Sequence, residues 1–382
     1  MRSTLPADGA GGAEDGRRGY ATVWYPGSLT TGGARSVQLA AGQERSGLDL
    51  QLEILSLSYI EGVVTGIPDG ARAQITLVDL SDTLRAATYP SVQATADGYF
   101  RLVNVPPGSY QLVALTVTPP LRSAAPGPTP PAFGQLQPEP AHTLWGTSDV
   151  AVSDQPLRGV SLALRPGMTV SGLVQYKATK RPALPLELTR AVARLVPADG
   201  SGTAGELAQQ ISALVQPDGS FRLRGVTPGK YRLVGSAEGG WLLHSAFLSG
   251  RDTLDFPIEV KAGQDLEDAL ITFTDRRTGL SGTVDGANTA DLGPIAVVLF
   301  ASDRQFWSQG TRRVLLARVS ADRRFALPDV PPGEYRVAAF KPGDSDDLLR
   351  SGLLESLEQH SIAVTLVEGE QLVMAVPFWS AR

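Results

Sequence analysis

The side chains that carry chemistry are few in this sequence and far apart. Its three histidines, His142, His244 and His360, each stand ahead of a separate alternating apolar stretch. A zinc or iron centre needs several such donors converging on one point. The spacing therefore offers three places or none, and loop or surface positions are expected. Cysteine is absent, which removes disulfides, thiolate nucleophiles and cysteine-held metal together. The acidic residues Asp344, Asp346, Asp347 and Glu355 approach the pattern of a calcium loop, but Leu348 and Leu349 stand where an oxygen ligand and a glycine are required. Helix capping explains them better. Asp97 and Asp218 each precede a glycine and read as turn residues rather than ligands. Neither Gly-x-Ser-x-Gly, Gly-x4-Gly-Lys-Ser/Thr, Gly-x-Gly-x-x-Gly nor His-Glu-x-x-His occurs. No catalytic residue, no metal site and no cofactor is expected.

Aromatic residues are the remaining candidates. Tyr20, Trp24, Tyr25, Trp145, Trp241, Phe306 and Trp307 lie outside the regular alternating segments. Exposed flat rings are what sugar faces stack upon, so Trp24, Tyr25, Trp145 and Trp241 form a candidate carbohydrate-binding set. The competing reading has these rings plugging sandwich edges and joints between modules, which suits the usual burial of tryptophan.

Composition bounds the elements that must position these residues. The chain has 382 residues, 42% apolar and 19% charged, enough to fold into two to four units. Its 41 glycines and 28 prolines suit a protein of many short strands and many turns. The net charge is -5 with no basic run, so nucleic acid is not an expected partner. The longest clean apolar run, Ile295 to Ala301, is far too short for a membrane span. The first nineteen residues, rich in glycine, aspartate and arginine, are expected to be disordered and hold no signal-peptide core.

The organising feature is an internal repeat. Asp97-Gly-Tyr-Phe100-Arg-Leu102, Asp218-Gly-Ser-Phe221-Arg-Leu223 and Asp322-Arg-Arg-Phe325-Ala-Leu327 each lead into a proline-glycine turn and a tyrosine, at Gly108 and Tyr110, Gly229 and Tyr231, Gly333 and Tyr335. A second marker precedes each set, and its glycines, Gly62, Gly172 and Gly282, recur every 110 residues. The Phe and Leu positions alternate as in a half-buried strand, as do the residues after each Tyr, which predicts a hairpin of two strands sharing a core face. Closing strands follow at Val160 to Leu164 and Leu372 to Phe378.

Three modules are thus expected, 55–166, 167–277 and 278–382, joined by short connections like beads on a rod. The first carries a proline-rich insert, 119–140. In the third, leucines at helical spacing predict a short helix over 346–359. Residues 1–54 read as an incomplete module: a strand at Ala34–Leu39 and an alternating closing strand, Leu48, Leu50, Leu52 and Ile54, without the matching front half. The chain is accordingly expected to be part of a longer parent.

Taken together, Ser171-Gly172-Leu-Val174, Asp218-Gly-Ser-Phe-Arg-Leu and Pro106-Pro-Gly-Ser-Tyr110-Gln-Leu-Val-Ala114 resemble the carboxypeptidase regulatory-like domain, over residues 55–382. That resemblance implies an all-β fold of tandem seven-strand Greek-key sandwiches, similar to prealbumin and to starch-binding domains. It also implies an exported bacterial protein placed in the periplasm, at the outer membrane or outside the cell. The implied role is non-catalytic, as an envelope spacer or adhesin-like module with a protein or polysaccharide partner; sugar binding is the alternative. The third module departs from the pattern at Arg323, so a longer turn or one of another type is expected there.

Overall fold

A computed structural model describes residues 17–20, 23–28, 31–37, 39, 43–79, 91–117, 144–179, 182, 187, 189–198, 211–286, 295–308, 310–342 and 352–379. The insert 119–140, His142, and Asp344, Asp346 and Asp347 lie outside them. The chain divides into two compact units, residues 1–39 with 44–166 and residues 40–43 with 167–382. The fold is all-β.

The first unit holds one sandwich. Its first strand, Ile54–Thr65, pairs antiparallel with Tyr99–Val105 and parallel with the closing strand Leu157–Ala163. The facing sheet contains Arg72–Asp79, Gly108–Val117 and Leu144–Val152. The second unit repeats this twice. Met168–Lys177 lies between Ser220–Val226 and the parallel closing strand Leu266–Thr274, and Gly279–Asp285 lies between Arg324–Leu327 and Gln371–Trp379. In the last sandwich the end of the closing strand also pairs with Gly333–Phe340, so both layers join into one seven-stranded sheet.

The expected hairpin between the Phe and Tyr strands does not form. Tyr99–Val105 pairs with the first strand, whereas Gly108–Val117 belongs to the facing sheet, and the other two copies behave alike. The proline-glycine turn is therefore a corner between layers. Both rows still fill one core, because the sheets face each other: Phe100, Leu102, Tyr110 and Leu112 are all buried. At the corner each tyrosine ring folds back over its glycine, where a Cβ would lie 3.0 Å from the ring in Gly108, 3.2 Å in Gly229 and 3.5 Å in Gly333. The hydroxyl ties off the turn, donating from Tyr110 to the Pro106 carbonyl at 2.9 Å and from Tyr335 to the Pro331 carbonyl at 2.7 Å. Burial pushes the Tyr110 hydroxyl up to about 12.

The marker glycines have a steric cause. Parallel pairing brings the closing strand so near that a Cβ on Gly62, Gly172 or Gly282 would lie 2.1, 1.9 or 1.7 Å from the carbonyl oxygen of Val160, Ala269 or Met374. Only glycine fits there.

The Asp-Gly turn is equally regular. Gly98 and Gly219 adopt φ +85°, and Arg323 takes φ +64° in the same place. The third turn keeps its partners as well: the backbone N–H of Arg323 donates to the Ser320 carbonyl, as Gly98 does to Thr95 and Gly219 to Gln216. The substitution leaves the turn type intact at the expense of left-handed strain on an arginine.

A helix spans Leu353–Glu358, with Gly352 before it making no side-chain cap. Leu354 and Leu357 pack with Val298, Phe300 and Ala338 in a second core on the outer side of the sheet. That explains the apolar run noted above: Ala296–Ala301 is buried on both faces and so does not alternate.

Residues 1–54 form no sandwich among the described residues. Residues 34–37 and 39 carry no strand, nor do residues 43–53, and the strand begins only at Ile54. Arg17–Tyr20 pairs with Ile54–Leu57 instead. The alternation of Leu48, Leu50 and Leu52 is there, but it lacks the neighbouring strand that would make it part of a ladder. No helix among the described residues is long and apolar enough to cross a membrane.

Candidate functional site

Among the described residues of the second unit, a cluster of partly buried ion pairs lies where its two sandwiches meet. A loop of the second sandwich, residues 252–256, meets Phe306, Arg312 and Arg313 of the third. The loop is set in advance by its own sandwich. Thr253 is fully buried, its hydroxyl lies 3.0 Å from both the Leu233 and the Ala246 carbonyl oxygens with one proton to share between them, and its oxygen accepts from the Leu233 N–H. The Asp252 carboxylate accepts from the Leu254 N–H at 3.1 Å. These bonds present Asp255 at the end of a rigid turn.

Two consecutive arginines close on it. Arg312 donates to Asp255 from Nε at 3.0 Å and from Nη2 at 3.2 Å, and Arg313 donates from Nε at 2.9 Å. Arg312 also reaches Asp252 at 2.9 Å and the His244 carbonyl at 2.9 Å. Arg313 donates to the Pro332 carbonyl and to the Tyr335 hydroxyl, so the clamp is wired to the tyrosine corner of the third sandwich. Its guanidinium lies 4.7 Å from the Phe306 ring centre, and Phe306 meets Phe256 across the joint at 5.2 Å. Asp255 is only 4% exposed. Burial pushes its carboxyl up, but the bonds and charges of Arg312 and Arg313 outweigh burial and hold it below the usual carboxylate range.

A second contact pins the same joint. Glu368 of the third sandwich accepts from the Thr274 hydroxyl at 3.1 Å and lies 3.6 Å from His244 Nδ1. Lys177 approaches the other ring nitrogen at 3.1 Å. Burial and the Lys177 charge outweigh Glu368 and keep the His244 imidazole below its ordinary value, hence neutral. The Gly369 N–H donates to Thr278 Oγ1 at 2.8 Å. His244 is thus a half-buried strand residue of the joint rather than a loop residue, and His360 stacks on Trp379 at 4.8 Å. Among the described residues no three histidine, aspartate or glutamate side chains gather into a metal-binding group.

The candidate sugar-stacking rings do not converge. Trp145 is 4% exposed and is covered by Arg165, whose guanidinium lies 5.1 Å from the ring. Trp241 is 6% exposed and packs edge-on against Tyr176 at 4.7 Å. Neither has an open face for a sugar. Trp24 and Tyr25 are half-buried in a tight turn closed by bonds between Trp24 and Ser28. Asp97 and Asp218 serve their turns, Asp218 accepting from the Ser220 N–H at 2.9 Å and Asp97 from the Thr95 hydroxyl. Asp255, Arg312 and Arg313 escaped the sequence reading because they fall in loops between the repeated motifs. The adjacent arginines beside a ring, with no local acid to pair them, were the one available signal.

No family model matches the chain. It is 41% identical over 61 residues to a rhamnogalacturonate lyase of Dickeya dadantii (strain 3937), a stretch covering 16% of this chain and 11% of that protein. The chain thus spans about a tenth of that relative's length. Among solved structures, a streptococcal ancillary pilin superposes with a TM-score of 0.24 at 12% identity, covering 86% of this chain and 99% of that one. The major pilin subunit BcpA of Bacillus cereus gives 0.20 at 12% identity, with 84% and 99% covered. The Bacillus anthracis TIE protein gives 0.20 at 10% identity, with 86% and 53% covered. Superpositions this loose leave fold and role to be decided by the chain's own residues.

Proposed function

We propose that this chain is a non-catalytic tandem β-sandwich that acts at the cell envelope as a spacer or adhesin-like interaction module, of the carboxypeptidase regulatory-like type. One observation carries the reading: the residues that recur in every repeat are consumed by architecture. The marker glycine admits the closing strand, the Asp and its neighbour make the turn, the Phe fills the core, and the glycine and tyrosine build the corner. A repeated active site would leave at least one recurring polar group without a structural duty. The clamped joint supports the same reading, because a spacer gains from modules that cannot swing. The competing reading, sugar binding, is reduced to Trp24 and Tyr25.

The intact chain, incubated with pectic, glycosidic, ester and peptide substrates, is expected to turn none of them over. Turnover abolished by a single substitution overturns the proposal. On arrays of envelope proteins and of polysaccharides, signal is expected on proteins alone. A glycan signal lost in Trp24→Ala establishes sugar binding in its place.

A further inference from the structure

Leu48, Leu50, Leu52 and Ile54 stand at period-two spacing and are 36%, 52%, 56% and 56% exposed. A lone exposed leucine is ordinary. Ile54 opens the first strand and pairs with Tyr20, but Leu48, Leu50 and Leu52 ahead of it keep the same register, the pattern of a strand whose apolar side lacks a cover. Among the described residues, 43–53 pair with no strand.

The same pattern occurs in completed form 112 residues further on. Gly47-Leu48-Asp-Leu50-Gln-Leu52 matches Gly159-Val160-Ser-Leu162-Ala-Leu164, and a marker glycine follows each, Gly62 and Gly172. The backbone agrees as well, since Gly47 has φ +78° and Gly159 has φ +73°. In the completed copy this segment is the closing strand of the first sandwich. It lies parallel to the Gly62–Thr65 stretch, its Leu162 is 1% exposed, and Val160 and Leu164 pack on the same core. Identical spacing and an identical left-handed entry thus lead to burial in one copy and exposure in the other. The difference is the presence of a first strand.

We infer that Gly47–Leu52 is the closing strand of a further sandwich of this repeat and docks against the front half of such a sandwich joined on its amino-terminal side. The required partner has defined chemistry: a first strand carrying Gly-x-Val, whose missing Cβ admits the closing strand, and an open apolar core to receive Leu48, Leu50 and Leu52. The order is set by the complete modules, in which the marker glycine precedes its closing-strand partner by 92 to 98 residues, as in Gly62 with Val160, Gly172 with Ala269 and Gly282 with Met374. The inference stands whether or not the modules serve as a spacer.

Two proteins test it: the chain as it is, and a fusion placing residues 167–236, the front half of the second sandwich, ahead of Arg17. In the chain as it is, amides 48–53 are expected to exchange freely with solvent, and Leu50→Asp with Leu52→Asp together to move the melting temperature by less than about 1 °C. In the fusion, the same amides are expected to exchange at least about tenfold more slowly, and the double substitution to abolish that protection. A control fusion carrying residues 167–274 verifies that the added segment folds when given its own closing strand. Amides already protected in the unfused chain overturn the inference. So does a fusion that gains no protection while the control folds.

Discussion

Replacing Asp255 with Asn tests the joint between the second and third sandwiches directly. The carboxylate accepts three charge-assisted bonds, two from Arg312 and one from Arg313, at 2.9 to 3.2 Å. Asn keeps the shape and one acceptor oxygen, but it turns the other oxygen into an NH2 that faces guanidinium donors and removes the charge. Breaking a fully buried pair from one side costs about 3 to 5 kcal/mol. Two facts reduce that figure here. The arginine side chains are 22% and 16% exposed, and both retain other acceptors, Asp252 and the His244 carbonyl for Arg312, the Pro332 carbonyl and Tyr335 hydroxyl for Arg313. The expected loss is therefore about 2 to 3 kcal/mol. For a block of roughly 200 residues, at about 2 to 4 °C per kcal/mol, the transition falls by about 4 to 12 °C. Calorimetry of the intact chain reads this, with the first sandwich as an internal standard that should not move. A shift below about 1 °C would refute the claim that Asp255 holds the joint.

Three further expectations follow from the same geometry. Gly172→Ala drives a Cβ to 1.9 Å from the Ala269 carbonyl oxygen, backbone against backbone, so the loss should be at least about 3 kcal/mol; an unchanged urea midpoint for the second sandwich would contradict the steric account of the marker. Arg323→Gly relieves left-handed strain in a turn that otherwise keeps its bonds and should stabilise the third sandwich by about 0.5 to 1 kcal/mol after the added freedom of the unfolded chain is deducted; destabilisation would mean that the arginine side chain matters more than its backbone. Acid should loosen the joint in two stages. Neutral His244, held below its ordinary value, takes a proton more readily when unfolded, so its share of stability is present above about pH 6.5 and lost as pH falls below it. Asp255, held below the carboxylate range, contributes above about pH 4 and loses that contribution as pH falls further. Melting of the second unit measured against pH should show the upper stage in the parent and lack it in His244→Gln.

What was legible in the sequence was whatever recurs. Phe100, Phe221 and Phe325 fall in the core where alternation placed them, and the Asp-Gly turns follow from residue chemistry alone. The hairpin expectation failed because alternation specifies which side of a strand is apolar and is silent on which strand lies beside it. The Phe and Tyr rows meet in the core from opposite sheets, and a two-sheet sandwich and a hairpin give the same period of two. The strand expected at Leu48–Ile54 shows the same limit from the other side, since apolar alternation over 48–53 makes no ladder without a neighbour, and the strand begins only at Ile54. Trp145 and Trp241 illustrate a third limit: residues outside the alternating pattern can still be covered, Trp145 within the strand Leu144–Val152 by Arg165 and Trp241, just ahead of Leu242–Leu248, by Tyr176.

The clamp shows why the joint escaped a reading based on repeats. A residue recurs when every module needs it, and a contact between two particular modules is needed only once. Asp255, Arg312, Arg313 and Glu368 accordingly sit in connections whose lengths differ between copies, where the scaffold tolerates change. Three arguments make the contact more than incidental packing. Asp255 is buried, and the bonds and charges of Arg312 and Arg313 are what outweigh that burial; the loop that presents it is held by buried Thr253 within its own sandwich; and Arg313 continues into the tyrosine corner of its own module. A charge at this joint therefore reports on folding of both partners at once. The modules of this unit should lose structure together rather than one at a time, which calorimetry would show as one transition for this unit, beside that of the first sandwich, that splits in two when Asp255→Asn is combined with Glu368→Gln. Two separate transitions for this unit in the parent would return it to independent beads.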